Sequence, residues 1–234
     1  MRPRRSPLLA RLSALLLTGA ALTGCGSSTA GNGVASKTPA EIVAGAKILA
    51  DAANSVHVSG TLQSGGSPTS FDLYLLASKG GRGELTADGR SFEVIQIHGN
   101  VYIKGSPAFY SHIAGPSAAQ LLQGRWLQAP VGTGSLASIA SLTNLAKLVD
   151  TTLPAHGTLA KGAATTVVGQ KVIAVTDTST GGTLYVATTG PPYPVEITMG
   201  GASGGSIVFS GWNQPLSITK PPNPIDITRL QSRH

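Results

Sequence analysis

The chain has 234 residues, of which 12% are charged, 41% are hydrophobic and 30 are Gly. An average soluble domain has about 25% charged residues and about 7% Gly, so this chain is charge-poor and Gly-rich. That composition excludes a charged disordered tail and a coiled coil. The single Cys excludes a disulfide framework, a thiolate zinc site and an iron–sulfur cluster.

Residues 1–24 have the pattern of a lipoprotein signal peptide. Four Arg residues open the chain, Leu12 to Leu22 is largely apolar, and Leu22-Thr23-Gly24-Cys25 follows. This apolar run is shorter than the roughly 20 residues that a membrane-spanning helix needs. The segment Leu22-Thr23-Gly24-Cys25 looks like a bacterial lipobox. This resemblance implies acylation of Cys25, with palmitate among the acyl groups. The alternative is an ordinary signal peptide that happens to contain a Cys.

Removal of the signal peptide changes the charge balance. It takes away four Arg and no acid, so the formal net charge falls from +7 to +3. The remaining basic residues are scattered, and we therefore expect no nucleic-acid partner. Residues 25–36 are predicted to be a lipidated Cys and a flexible tether. The predicted location is the outer face of the cell membrane, with the lipid anchor as the membrane contact.

The first predicted elements are one helix and a meander of five strands. Thr38-Pro39-Ala40-Glu41 is a capping box with Pro at the first helical position, and the helix should end near Asn54. From Ser55 the apolar residues alternate with polar ones, which is typical of strands. The strands are predicted from Ser55 and then at Ser70–Ala77, Gly83–Ala87, Ser91–Ile97 and Gly99–Lys104, with glycine-containing hairpin turns between them.

The second half of the chain is predicted to contain helices followed by six more strands. The helices are Pro107–His112, Pro116–Gln123 and Leu136 to Val149. The strands are His156–Lys161, Ala164–Val168, Gln170–Thr176, Gly182–Ala187, Tyr193–Met199 and Gly205–Phe209. The Pro-rich segment from Ser217 to Leu230 is predicted to be extended.

These elements predict an α+β fold in a single domain over residues 37–230, with a tail at 231–234. An antiparallel sheet of about 11 strands should curl into a half-barrel, with the helices packed on its concave side. Several strands are apolar on both faces, so we expect apolar material to cover part of each face.

A family resemblance is carried by short segments that occur in order over about residues 36 to 230. They are Ser55-Val56-His57-Val58-Ser59-Gly60, Phe92-Glu93-Val94-Ile95, Gly99-Asn100-Val101-Tyr102-Ile103-Lys104, Phe109-Tyr110, Leu121-Leu122-Gln123-Gly124-Arg125-Trp126, Thr183-Leu184-Tyr185-Val186-Ala187, Pro192-Tyr193-Pro194 and Phe209-Ser210-Gly211-Trp212-Asn213-Gln214-Pro215. Together with the lipobox, they resemble the LppX/LprG family of actinobacterial lipoproteins. The resemblance implies a LolA/LolB-like half-barrel that holds acyl chains of a lipid or glycolipid and helps to move them through the cell envelope.

A candidate acyl-chain site follows from the apolar positions that face the predicted helices. The strand residues are Val58, Leu62, Leu73, Leu75, Val94, Val101 and Ile103, and the helix residues that would oppose them are Ile139, Leu142 and Leu145. A closed core would use the same side chains, so the alternative is a filled interior in a lipoprotein that scaffolds or binds an envelope protein. Trp126 and Trp212 are assigned to core packing, with a place in the ligand hollow as the alternative.

Enzyme chemistry has little support in the sequence. Gly201-Ala202-Ser203-Gly204-Gly205 matches the G-x-S-x-G pattern, but it lies between strands and is interpreted as a hairpin loop. The five His residues are scattered and show no metal-ligand spacing. We therefore predict no catalytic residue, no metal and no cofactor. The protein is expected to be a monomer.

Overall fold

The structure is a computed structural model and describes residues 31–64, 66–77, 80–132, 157–201 and 204–228. Its helices are α1 Pro39–Asp51, α2 Pro107–Ala114 and α3 Pro116–Leu122. Its strands are β1 Ser55–Ser64, β2 Ser67–Leu76, β3 Gly80–Ala87, β4 Arg90–Ile97, β5 Asn100–Gly105, β6 Leu127–Pro130, β7 Leu159–Val167, β8 Gln170–Asp177, β9 Thr183–Ala187, β10 Pro194–Met199, β11 Gly205–Ser210 and β12 Ile225–Asp226.

Within this part of the chain the strands form one sheet of twelve, in the order β12-β6-β5-β4-β3-β2-β1-β11-β10-β9-β8-β7. Every pairing is antiparallel except that of β12 with β6. The two runs of strands are joined where β1 pairs with β11, for example Val58 opposite Phe209. The sheet is not closed, because β12 and β7 are its two edges. The predicted α+β fold, a curved antiparallel sheet with helices, is confirmed.

Three strand predictions need correction. The described parts of the segments predicted as His156–Lys161 and Ala164–Val168 lie in and beside one strand, β7 Leu159–Val167, whose register shifts between Lys161 and Ala164; His156 is outside the described residues. Val168 instead lies in a tight turn with Gly169, and both have positive φ. Two short strands were missed, β6 after α3 and β12 in the Pro-rich segment. Each has only a few residues and depends on its partner, so local pattern could not reveal it.

Glycines at two positions allow neighbouring strands to approach closely. A Cβ at Gly60 in β1 would lie 2.1 Å from the carbonyl oxygen of Ser206, and one at Gly83 in β3 would lie 2.1 Å from that of Asp72. No side chain fits at such distances. Glycine kinks of this kind are how curved sheets turn corners, so part of the high Gly content is explained by sheet curvature.

The predicted tether is only partly separate from the domain. Val34 is buried, and the side chain of Asn32 donates hydrogen bonds to the carbonyls of Ala187 and Gly190. Lys161 donates to the carbonyls of Ala35 and Lys37. In the described part of the predicted tether, Gly31–Ser36, one apolar side chain is buried and several polar groups have hydrogen-bond partners on β7 or at and just after the end of β9.

The side chains of the sheet alternate between two faces, which we call the core face and the outer face. The core face carries the large apolar cluster that includes Val58, Leu73 and Val94. The outer face carries the residues between them, such as His57, Tyr74 and Arg82, because successive strand residues point to opposite sides.

A segment that we call the strap, residues 211–224, crosses part of the outer face. Its Asn213 backbone N–H donates to the carbonyl of Ser55, and the Ser55 hydroxyl donates to the carbonyl of Gln214. Further along, Ile218 is buried and the Lys220 ammonium lies 6.0 Å from the ring centre of Tyr102. The strap thus covers part of the outer face through hydrogen bonds to β1 and a cation–π contact with β5.

Candidate functional site

The predicted lining residues lie together on the core face. All seven on strands belong to one apolar cluster: Val58, Leu62, Leu73, Leu75, Val94, Val101 and Ile103. The strand register brings them side by side, with Val58 opposite Leu73 and Val94 opposite Ile103. Six of the seven are buried and Leu62 is half-buried. The predicted residues therefore form a continuous apolar surface across β1–β5.

Two helices flank this surface. α1 packs against β7, β8, β9 and β10, and buries Ile42, Val43, Ala46 and Ala50. α2 packs against β4 and β5. In the strand order, β11, β1, β2 and β3 lie between the strands that these helices contact. The central strands thus form an apolar floor between the two helices.

Sequence reasoning missed the other half of the same surface. The cluster continues onto β8–β11 through Ile173, Val175, Leu184, Val186, Ile197, Ile207 and Phe209. These residues alternate along predicted strands, so the signal was available in the period of two. What the sequence did not reveal is that β1 and β11 pair and join the two halves into one sheet.

At one end of the central strands the apolar surface is only partly covered. Leu62, Phe71, Phe92, Phe109 and Met199 are half-buried and pack against the cluster. The rings of Phe92 and Phe109 are 5.0 Å apart, so the first turn of α2 closes over this end. Apolar side chains reach solvent at this end, which makes it a candidate entrance to the core face.

Tyr110 fixes α2 to the sheet at this end. Its hydroxyl accepts a hydrogen bond from the Gly105 backbone N–H at 2.9 Å and donates one to the Arg125 carbonyl at 3.1 Å. The side chain is buried, and burial raises the pKa of the Tyr110 hydroxyl above its ordinary value. One side chain therefore connects Gly105, which precedes α2, with Arg125, which follows α3.

The remaining predicted site residues lie outside the described residues. These are the lipidation residue Cys25 and the helix residues Ile139, Leu142 and Leu145. Their assigned roles stay predictions.

The outer face brings together three residues that the sequence spacing did not connect. Nδ1 of His57 is 3.0 Å from the Ser210 hydroxyl, and Nε2 is 3.1 Å from an oxygen of Asp72. These partners are 153 and 15 residues away in the chain, so only strand pairing could reveal them. The composition is that of a catalytic triad.

The surroundings of this trio argue against nucleophilic catalysis. Ser210 is the last residue of a regular strand, whereas a nucleophile elbow presents its Ser on a strained turn. The Asp72 side chain is 56% exposed, so water competes with it for the imidazole. We assign the trio to cross-strand polar contacts. The G-x-S-x-G match lies between β10 and β11, which agrees with a hairpin; its Ala202 and Ser203 are outside the described residues.

The two tryptophans have different positions. Trp212 packs against the core cluster, stacks on Tyr193 at 4.8 Å and donates its indole N–H to the Pro194 carbonyl. Trp126 lies on the outer face, with the Lys104 ammonium 5.1 Å from its ring centre. Core packing is thus correct for Trp212 and wrong for Trp126, which precedes the unpredicted strand β6.

Within the described ranges, no three His, Cys, Asp or Glu side chains come close enough to hold a metal ion. None of the helices among these residues combines the length and apolar character needed to cross a bilayer.

Comparison with solved structures identifies the architecture. LprF from Mycobacterium bovis superimposes with a TM-score of 0.55 at 14% identity, covering 78% of this chain and 96% of its own. The Mycobacterium tuberculosis lipoprotein LppX gives a TM-score of 0.52 at 16% identity, covering 78% of this chain and all of LppX. The protein shares the fold of LprF and LppX. The resemblance predicted from the sequence is confirmed at the level of the fold. No family model matches the chain, and no curated protein is detectably similar to it in sequence.

Proposed function

We propose that this protein is a lipid-anchored lipoprotein that binds the acyl chains of a lipid or glycolipid on its core face and carries them within the cell envelope. The observation that carries the proposal is the apolar floor of β11, β1, β2 and β3 between two helices. The fold shared with the lipoprotein LppX agrees with it. Residues 1–25, with a basic start and a lipobox, support export and anchoring at Cys25.

The energetics of this surface suit acyl chains. Transfer of a methylene group from water to an apolar environment contributes about 0.8 kcal/mol. A single long chain therefore supplies enough for micromolar binding after the losses of translational and rotational freedom. On the core face the central strands offer aliphatic and aromatic side chains, which suit a non-polar tail. A polar head group would remain near Leu62, Phe71 and Phe92, where the surface reaches solvent.

A matched pair of substitutions tests the proposal with a fluorescent long-chain fatty acid as the probe. Leu62 and Thr61 are neighbours in β1, so their side chains lie on opposite faces. Leu62→Arg introduces a charge at the entrance of the core face and should weaken binding by roughly tenfold or more. Thr61→Arg introduces the same charge on the outer face and should leave the affinity unchanged.

The thermal midpoint of both variants has to stay close to that of the wild type for this comparison. If Leu62→Arg fails to fold, Leu62→Ser supplies a milder change at the same position. Equal affinities for Leu62→Arg and Thr61→Arg would place the probe elsewhere on the protein and contradict the proposal.

A second function is favoured by the burial of the predicted lining. Val58, Leu75, Val94 and Val101 are fully buried, as they would be in a filled core. A lipoprotein with a filled core would act through its surface, by binding or scaffolding an envelope protein. Such a protein would take up no fatty acid, so the same titration separates the two functions.

A further inference from the structure

Two adjoining pockets lie on the outer face, away from the apolar floor. One, of about 340 Å³, lies between β1, β2 and the strap and is lined by His57, Ser210 and Gln214. The other, of about 270 Å³, lies over β2–β4 and is lined by Glu84, Ile95 and Trp126, among others. Tyr74 and Arg82 line both. The two pockets thus adjoin at Tyr74 and Arg82, and together they form a groove across the five neighbouring strands β11, β1, β2, β3 and β4.

The walls of this groove are held in place by stacking. His57 stacks on Tyr74 with ring centres 4.3 Å apart, and the Arg82 guanidinium lies 4.8 Å from the centre of the same ring. On the far side Lys104 lies over Trp126 and pairs with Glu93 at 2.6 Å. Side chains that are already ordered lose little conformational entropy when a ligand binds, so the groove is preorganised.

The groove has a net charge of −1, because the carboxylates of Asp72, Glu84 and Glu93 outnumber the Arg82 guanidinium and the Lys104 ammonium. The carboxylate of Asp72 is engaged by His57, and that of Glu93 by Lys104. Among the described residues, Arg82 and Glu84 form no ion pair within 4.0 Å. They lie two residues apart on β3 and so project from the same face. Within the described part of the chain, one guanidinium and one carboxylate can therefore hydrogen-bond a ligand, and the net negative charge disfavours an anion.

We propose that this groove binds a neutral saccharide. Arg82 and Gln214 offer hydrogen-bond donors and Glu84 offers acceptors, and a sugar hydroxyl satisfies both because it donates and accepts. Trp126 offers an apolar ring for the C–H face of a pyranose. The site is on the opposite side of the sheet from the apolar floor, so it goes beyond the proposed function, and binding there does not require the core face to be empty.

The test is saturation-transfer NMR on the folded domain with maltose, cellobiose and lactose at millimolar concentration. At least one of these neutral disaccharides should receive saturation from the wild type. Glu84→Gln removes a charged acceptor and should weaken binding by roughly tenfold. Glu196→Gln is the matched control, because Glu196 lies on the same face at β10, away from both pockets, and it should bind as the wild type does.

Trp126→Ala is the second site variant and should also lose binding by up to about tenfold, since it removes the apolar platform. Absence of transfer to all three sugars overturns the proposal. So does binding that Glu84→Gln and Trp126→Ala leave unchanged. A signal from tetralysine that added salt abolishes, without one from the sugars, would assign the groove to a cationic partner instead. Fatty-acid binding is measured separately, so failure here leaves the proposed function unaffected.

Discussion

The two faces of the sheet use the same strands for different surfaces. On β2, Leu73 and Leu75 point into the apolar cluster, while Asp72 and Tyr74 point into the polar groove. The core face is flanked by α1 and α2, which contribute apolar side chains to its cluster. The outer face is crossed by the strap, which contributes backbone hydrogen bonds and leaves a groove open beside it.

This difference shows how a charge-poor chain separates two kinds of binding surface. The free energy gained by burying apolar area does not depend on direction. Binding on the core face therefore needs a continuous apolar surface more than exactly placed atoms. Hydrogen bonds need fixed donors and acceptors, so the outer face orders its few charged groups by stacking them on Tyr74 and Trp126. The predictions below test this contrast, from the largest expected effect to the smallest.

A charge on each face should have very different consequences. Val58→Asp puts an unpaired carboxylate at a fully buried position and should lower the free energy of unfolding by more than about 4 kcal/mol. Thr61→Asp, three residues along β1 and exposed on the outer face, should change it by less than about 1 kcal/mol. Urea denaturation measures both, and similar losses would contradict the assignment of the two faces.

The bend of the sheet should depend on glycine in the central strand. Gly60→Ala brings a Cβ against the Ser206 carbonyl and should cost about 1–3 kcal/mol, as overpacking does. Gly45→Ala is the control in α1, where a Cβ meets open space, and it should stabilise by roughly 0.5–1 kcal/mol. Chemical denaturation of both variants should show a lower free energy of unfolding for Gly60→Ala and a higher one for Gly45→Ala. If Gly60→Ala left the free energy of unfolding unchanged, β1 would not be held this close to β11.

The attachment of α2 over the core face should depend on one hydroxyl. Tyr110→Phe leaves the Gly105 N–H without its acceptor and should cost about 1–3 kcal/mol, with faster amide exchange at Gly105. Tyr185→Phe is the control, because the Tyr185 hydroxyl makes no hydrogen bond with the described residues. If the two variants unfold at the same denaturant concentration, Tyr110 does not hold the helix.

The smallest effect concerns the start of α1, which covers the core face. The Glu41 carboxylate accepts hydrogen bonds from the Thr38 side chain and backbone N–H, and these lower its pKa. Because the pKa is lower in the folded state, its contribution to stability is present above the unfolded pKa and is lost as the pH falls through the folded one.

Glu41→Gln should therefore unfold more easily than the wild type at neutral pH, and the difference should shrink at about pH 3. Thermal midpoints at the two pH values measure it. A difference that stays constant between them would mean that the charged form of Glu41 has no special role in the cap.

The sequence predicts local features well and distant ones poorly. The capping box at Thr38 is present, because its partners are three residues apart. The predicted alternation of apolar and polar residues around Val58 matches the structure, because one face of β1 is buried. The pairing of β1 with β11 and the position of Trp126 on the outer face depend on residues far along the chain, and no local period encodes them.

The same limit applies to the two candidate sites. The apolar residues predicted on β1–β5 share one cluster, and the period of two in each strand made them recognisable; that they bind a lipid stays a prediction. The groove was missed because His57, Tyr74 and Arg82 come from three strands, and each looks like an ordinary surface residue on its own.

Native mass spectrometry of the domain from Gly26 onward, produced in an actinobacterial host, tests the central claim most directly. The account predicts a stoichiometric adduct with the mass of a lipid, which solvent extraction releases and which Leu62→Arg reduces. A bare polypeptide that also takes up no added lipid would contradict the claim that the core face holds acyl chains.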